Sequence, residues 1–397
     1  MKVMDQSVTA PPDRETRNKQ AYYTAGQNQL IWERFRRNRT ALVAGSILMA
    51  FMLIGVFAEF VAPYAPTKAG YDRAYLNGPP QWPRFWDENG FSVRPFVYSY
   101  TQQRDENYHL IFAQQVEHRR YLQFFVEGWE YQMIDSHINL PGSRFDVHLK
   151  LLATNRHLFG VDEGMVHVFG TDRQKKDLFS RVAFAIRTSL SIGAIGVFVA
   201  FVLALVIGGC AGFYGGWVDR VIQMFTDAVR VVPTIPLFMA MAAFVPADWS
   251  SEARFFFISL LLGLVGWPTL ARRIRTHVLA ERTQDYILAA RLCGAGAPYI
   301  IRRHLLPSFT SYIIVDLVIS FPYMVLSETA LSFIGLGLKD PVNSLGVLLQ
   351  NVTNVDVMLN YPWYFIPVPI FVLIVMAFVF VGDGLRDAAD PYDVSRT

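Results

Sequence analysis

Residues 189–213 read SLSIGAIGVFVAFVLALVIGGCAGF, a run without a charged side chain. A helix of roughly 20 apolar residues crosses the ~30 Å hydrocarbon core of a bilayer. A helix also satisfies its own backbone hydrogen bonds there. Further apolar blocks lie at 41–62, 221–245, 255–270, 309–333 and 363–381. The chain is therefore expected to be an all-α integral membrane protein of about six transmembrane helices. Pro233 and Pro236 should kink the third block, and Pro322 should break the fifth.

Composition agrees. Of 397 residues, 52% are hydrophobic and 17% charged, against roughly 25% charged in a soluble domain. The net charge of +3 is small, but its placement is informative. Arg34, Arg36, Arg37 and Arg39 precede the first block; Arg272, Arg273, Arg275, Arg282, Arg291, Arg302 and Arg303 follow the fourth. Lys and Arg collect in cytoplasmic loops. An even number of spans puts both clusters and the C-terminus on that side, with the first block an uncleaved span. The expected division is a cytoplasmic tail at 1–40, a first transmembrane helix at 41–62 and an extracytoplasmic insertion with an amphipathic segment at 63–187. A membrane core at 188–382 follows, including a cytoplasmic loop at 271–307, and then a cytoplasmic tail at 383–397. The insertion is rich in aromatic residues such as Trp82, Trp86, Phe96, Phe124, Phe125 and Trp129. Residues 120–134 read as a strand and 78–83 as turns, so a small insertion of mixed or β character is expected.

Several chemistries have no sequence basis. No Gly-x-x-x-x-Gly-Lys-Ser/Thr loop is present, so the chain should not hydrolyse ATP by itself. Cys210 and Cys293 fall in different segments, and no Cys/His cluster suggests a metal site. His157, His167, His277 and His304 have no triad spacing, and no Gly-x-Ser-x-Gly elbow exists. No catalytic residue is expected. The glycine strings at 208–212 and 335–337 end apolar blocks, where small residues let helices approach closely. Asp227, Arg230, Asp316 and Glu328 are singled out among the polar residues within the blocks, either lining a solute pathway or packing between helices. Asp227 and Arg230 are placed to pair on one helix face.

The loop after the fourth block contains Arg282-Thr283-Gln284-Asp285-Tyr286-Ile287-Leu288-Ala289-Ala290-Arg291-Leu292-Cys293-Gly294. Thr283 can cap a helix, Asp285 suits its positive end, and Gly294 suits the left-handed residue that closes it. A second short helix at 298–306 is expected to begin at Pro298 and stop at Pro307. Ala289 and Ala290 present a small flat surface, with Tyr286 and Arg291 at its rim. Two readings fit: a helix that docks into a protein groove, or a basic loop facing lipid head groups.

The same loop resembles the signature of importer-type ABC permeases: Glu-Ala-Ala, three residues, Gly, nine residues, then Ile-x-Leu-Pro. Here it runs Leu288-Ala289-Ala290, Gly294, then His304-Leu305-Leu306-Pro307. Leu288 stands for the Glu and His304 for the Ile, as in the dipeptide/oligopeptide branch. Gly266-Trp267-Pro268-Thr269-Leu270-Ala271-Arg272, Leu331-Ser332-Phe333-Ile334-Gly335-Leu336-Gly337 and the tail from Asp383-Gly384-Leu385-Arg386-Asp387 to Asp390-Pro391 are similar to that branch too. Gly170-Thr171-Asp172, Asp177 and Ser180-Arg181 resemble its outer amphipathic helix, with Lys175-Lys176 where Gly-Arg is usual.

The resemblance covers roughly 30–66 and 155–395, and it is to the second permease subunit. It implies a non-catalytic pore subunit in a bacterial inner (plasma) membrane, with both termini cytoplasmic. Its partners would be a second homologous permease, two ATPase subunits, an extracytoplasmic substrate-binding protein and the lipid bilayer, with no nucleic acid. No cofactor would bind this chain; ATP and Mg would sit on the partner ATPase. Asp285, Tyr286, Leu288, Ala289, Ala290, Arg291, Gly294, Leu306 and Pro307 would form the coupling loop. The implied cargo is short peptides or similarly sized solutes, although related importers take glycosides, nickel complexes or opine-like compounds. The insertion would widen the binding protein's platform or roof the pore mouth. The alternative is a secondary transporter or channel that works without ATP and without partners.

Overall fold

The computed structural model describes residues 27–66, 75–88, 90–104, 110–137, 148–161, 164–246 and 249–389. Helices α1 (Gln27–Phe35), α2 (Arg39–Val56) and α3 (Ala58–Val61) lead into strands β1 (Arg84–Asp87), β2 (Gly90–Arg104), β3 (Leu110–His137) and β4 (His148–Val161). Then come α4 (Leu178–Tyr214), α5 (Gly216–Val231), α6 (Thr234–Ala243) and α7 (Ser251–Glu281). Three short helices follow: α8 (Asp285–Leu292), α9 (Ala297–Ile300) and α10 (Leu306–Ser308). The chain continues through α11 (Thr310–Phe333), α12 (Leu345–Val352), α13 (Val355–Asn360) and α14 (Pro367–Ala389). Among the described residues, five helices are long and apolar enough to cross a membrane, or six if the bent pair α5–α6 is one span.

Several boundaries differ from expectation, each for a local reason. Helix α4 begins at Leu178 rather than 189, because Asp177 caps it by accepting from the Ser180 N–H at 2.7 Å. It therefore crosses the boundary expected at 187. Helix α7 runs on to Glu281 instead of ending at 270. Its added turns carry Arg272, Arg273 and Arg275, each paired with an acid on a neighbouring helix: Asp227, Asp316 and Asp219. Asp227 thus pairs with Arg272 and not with Arg230. The third block is bent by 84° between α5 and α6. Pro233 sits at the break, whereas Pro236 lies in the first turn of α6, where a missing N–H costs nothing. Pro322, in contrast, leaves α11 unbroken; packed neighbours hold such a helix together. Helix α14 extends past 381 to Ala389. Lys175 carries the turn before α4 at φ +61°, a conformation glycine takes more readily.

The bundle is built around α4 and α7. A Cβ at Gly208 would lie 2.3 Å from the Ala271 carbonyl oxygen, and one at Gly212 would lie 2.8 Å from that of Arg275. Both glycines are therefore required where the two backbones touch, while Gly209 between them faces open space. Ala200, Ala204, Leu261, Leu262 and Leu270 fill the rest of this interface. On the other flank of α4, Ala44 and Leu48 of α2 pack with Ile186, Ile374 and Phe378.

The insertion is β. Its strands form an antiparallel meander in the order β1-β2-β3-β4, and the expected strand 120–134 lies within β3. The sheet rests on three helix ends. His157 of β4 donates from Nδ1 to the Glu59 carbonyl in α3 at 2.9 Å. Phe159 meets Phe179 at the start of α4, with ring centroids 5.3 Å apart. Phe112 of β3 meets Trp363, just before α14, at 6.3 Å. At the opposite end of the bundle Phe35 of α1 packs with Ala41 and Ala388.

This packing separates two adjacent glycines. Gly208→Val should lower the melting temperature of the detergent-purified chain, because overpacking costs about 1–3 kcal/mol. Gly209→Ala should leave it unchanged. Equal melting temperatures for both variants and the parent would contradict the close-approach argument.

Candidate functional site

The loop between α7 and α11 is divided into a buried side and an exposed side. Ile287, Ile300 and Leu305 are fully buried and join the main apolar cluster. Leu288, Ala289 and Tyr299 are exposed, and Leu292 is 90% exposed. Helix α8 is preceded at its N-cap by Gln284, which gives no side-chain cap; Thr283 donates instead to the Ala280 carbonyl at 3.3 Å. The prolonged α7 places Thr283 too close to its C-terminus to serve α8. Asp285 occupies the first turn, where the helix dipole favours an acid. Gly294, at φ +81°, closes the helix. The Gly294 N–H donates to Arg291 at 2.9 Å, and the Ala295 N–H to Ala290 at 3.0 Å. That double closure is a Schellman motif.

The second loop helix is longer than expected and irregular. It runs from α9 through a π turn at Ile301–Leu305 into α10. Pro307 lies inside α10 and does not end it; the break comes at Phe309. Pro307 lacks an N–H and crowds the carbonyl four residues back, which favours a wider turn before it. Leu306 is half-buried and Pro307 exposed.

Two arginines fasten the loop to the end of α4. Arg282 donates from Nη1 to the carbonyls of Gly212 at 3.1 Å and Phe213 at 3.4 Å. Arg291 lies over the Phe213 ring, 4.9 Å from its centroid. The Tyr286 hydroxyl donates to Glu281 at 2.5 Å. Burial, and then that carboxylate, push the Tyr286 phenol above its ordinary pKa, so it stays a donor at physiological pH.

Away from the loop, α5, α6, α7 and α11 enclose a cavity of about 400 Å³. Arg230, Phe238, Pro268, Arg273, Tyr323 and Ser327 are among its lining residues. Of the four polar residues singled out in the sequence, Arg230 alone lines this cavity. Asp227 and Asp316 are counter-ions of α7 arginines. Glu328 is fully buried elsewhere, in a cage of hydroxyls. Ser189 of α4 and Ser332 of α11 each donate to it at 2.9 Å. Those serines accept in turn from the N–H groups of Leu345 and Leu338, both at 3.1 Å. Glu328 therefore ties α4, α11 and the start of α12 together. Sequence reasoning missed the two serines; their signal was polarity within apolar blocks, too common to stand out.

This arrangement has no catalytic geometry; it has a fastened, exposed helix at one end and a cavity between spans. Residues 190–392 match the family of binding-protein-dependent transport system inner membrane components. The chain belongs to that family. Residues 26–80 also match the N-terminal transmembrane domain of oligopeptide transport permease C. The permease is 29% identical to a dipeptide transport system permease protein of Lactococcus lactis subsp. cremoris, over 91% of this chain and 90% of that one. It is 34% identical to an oligopeptide transport system permease protein of Mycobacterium tuberculosis, over 57% and 77%. Among solved structures, an inward-facing methionine ABC transporter matches 53% of this permease and 96% of its own chain, at 19% identity and a TM-score of 0.43. The permease is a multi-pass membrane subunit of a binding-protein-dependent importer and not an enzyme. Its family works with an ATPase and a substrate-binding protein.

The Glu328 cage can be tested by stability. Glu328→Leu leaves two buried hydroxyls without an acceptor, at about 1–3 kcal/mol each. The expected result is a clear drop in melting temperature in detergent, with Glu328→Gln in between because one acceptor oxygen remains. An unchanged melting temperature for Glu328→Leu would show that the cage holds nothing together.

Proposed function

We propose that this permease forms half of the translocation pore of an ATP-driven importer for short peptides or solutes of similar size. A second homologous permease supplies the other half, and two ATPase subunits carry ATP and Mg. An extracytoplasmic binding protein delivers the cargo on the side of the sheet. Both termini face the cytoplasm, as the placement of arginines around 34–39 and 272–303 supports. The peptide assignment rests on the dipeptide and oligopeptide permeases to which the chain is similar.

The observation that carries the reading is the two-sided build of α8. Its inner side is fixed by Ile287 and by the arginine contacts to α4, while Leu288, Ala289 and Leu292 face outward. A helix held in this way suits docking into a groove of another protein. Closure of the ATPase dimer on ATP would move α8, and α8 would carry α4 with it as a rigid body. The residues assigned to this coupling are Asp285, Tyr286, Leu288, Ala289, Ala290, Arg291, Gly294, Leu306 and Pro307. A transporter working alone has no use for a fastened helix with an exposed apolar face. Arg230, at the cavity between α5 and α7, is assigned to the solute path.

Purification from the native membrane in mild detergent tests the assembly. An ATPase and a second permease should co-purify with the parent chain, and Ala289→Glu should lose the ATPase at normal membrane abundance. Recovery of the chain alone would sink the importer reading. Gly294→Pro should abolish uptake, because proline cannot adopt φ +81° and removes the N–H that closes α8. Gly294→Ala, which costs about 1–2 kcal/mol in that conformation, should reduce uptake less. Arg230→Glu should impair uptake while the ATPase still co-purifies; normal uptake would remove Arg230 from the path.

A further inference from the structure

The lipid-facing surface of α2 does not stop where the helix ends. Met49, Leu53, Val56 and Phe57 form an exposed apolar stripe, which α3 prolongs to Phe60. The Phe60 ring lies 6.1 Å from that of Phe125 in β3. Phe124 and Phe125 are themselves 65% and 61% exposed. The sheet therefore extends the apolar stripe through Phe125, with Phe124 exposed next to it in β3.

The backbone at this corner is unusual. Phe125 has φ +59°, a conformation rare for a bulky residue. The β3–β4 ladder pairs Phe124 with Phe159 and Val126 with His157, and passes over Phe125. Side chains of a regular strand alternate between faces, so one of two consecutive phenylalanines would turn inward. The left-handed residue suspends that alternation and leaves both rings exposed. Strain of this kind persists only where the surrounding structure holds it in place.

The chemistry around the corner changes over a short distance. Arg187 of α4 is ion-paired with Glu59 and lies 5.3 Å from the Phe184 ring centroid. Glu127 is exposed just beyond Phe125. Apolar stripe, phenylalanine rings and charged groups succeed one another as in interfacial segments, where Phe and Leu sink into the acyl boundary and charged groups stay in water. We propose that the Phe124–Phe125 corner is an interfacial anchor that inserts into the lipid leaflet on the sheet's side. The occupant is bilayer lipid, because the corner continues a surface that already faces lipid. This holds the sheet at a fixed height on the membrane, and it depends on α2 crossing the bilayer but not on any ATPase.

Depth measurement tests the anchor. Nitroxide labels are placed at Phe124→Cys and, separately, at Phe125→Cys in full-length chain lacking Cys210 and Cys293. The protein, with the subunits that co-purify, is reconstituted in phosphatidylethanolamine–phosphatidylglycerol vesicles. Collision with oxygen reports lipid, and collision with a water-soluble nickel chelate reports water. Labels at Leu53→Cys and, for water, at the exposed Glu33→Cys of α1 give the two reference values. The expected result is an oxygen-to-nickel ratio at 124 and 125 shifted from the Glu33 value toward the Leu53 value. A ratio equal to that at Glu33 overturns the proposal in favour of a water-exposed sheet. Shielding from both reagents overturns it in favour of a protein partner on this corner. A Leu53 label that itself reads water would instead indict the membrane placement of α2.

Discussion

Lipid tails are as apolar as leucine, so helices in a bilayer gain little by hiding apolar surface from their surroundings. What holds them is how closely their backbones can approach. In this permease that approach is made by α4 and α7, where Gly208 and Gly212 lie against carbonyls of α7. Much else is referred to this contact. The carbonyls of Gly212 and Phe213 receive Arg282, and the Phe213 ring receives Arg291. The position of α8 is thus fixed by the same few residues that seat α4 on α7.

Charge sets the second constraint. Helix α7 outruns its apolar block because Asp219, Asp227 and Asp316 neutralise its three arginines from neighbouring helices. The result is a stiff rod from the middle of the bundle to the edge of α8. Glu328 is accommodated differently, by hydroxyls whose own oxygens accept from backbone N–H groups. The first arrangement extends a helix beyond its apolar block, and the second joins three elements within the bundle.

Much of this was legible in the sequence, because the relevant signals are local. Apolar blocks mark spans, Pro233 marks the bend, and Gly294 closes α8 through hydrogen bonds to residues within five positions. The loop motif with its spacing pointed to the family. What escaped was non-local. Asp227 has a plausible partner three residues away and a real one on another helix. Thr283 looks like a cap until α7 is seen to reach it. The seating of the sheet on α3 and on the entry of α14 involves residues roughly 100 or more positions apart, beyond any pattern read along the chain.

The seating of the sheet constrains how this permease moves. One stiff sheet stapled to the ends of α3 and α4 and to the entry of α14 behaves as a tripod brace. Three braced posts do not splay independently, so they move as one unit, and α7 and α11, joined to α4 through Gly208, Gly212 and Glu328, move with them. Freedom is then left to the bent pair α5–α6, which these ties bypass and which closes one side of the cavity with Arg230.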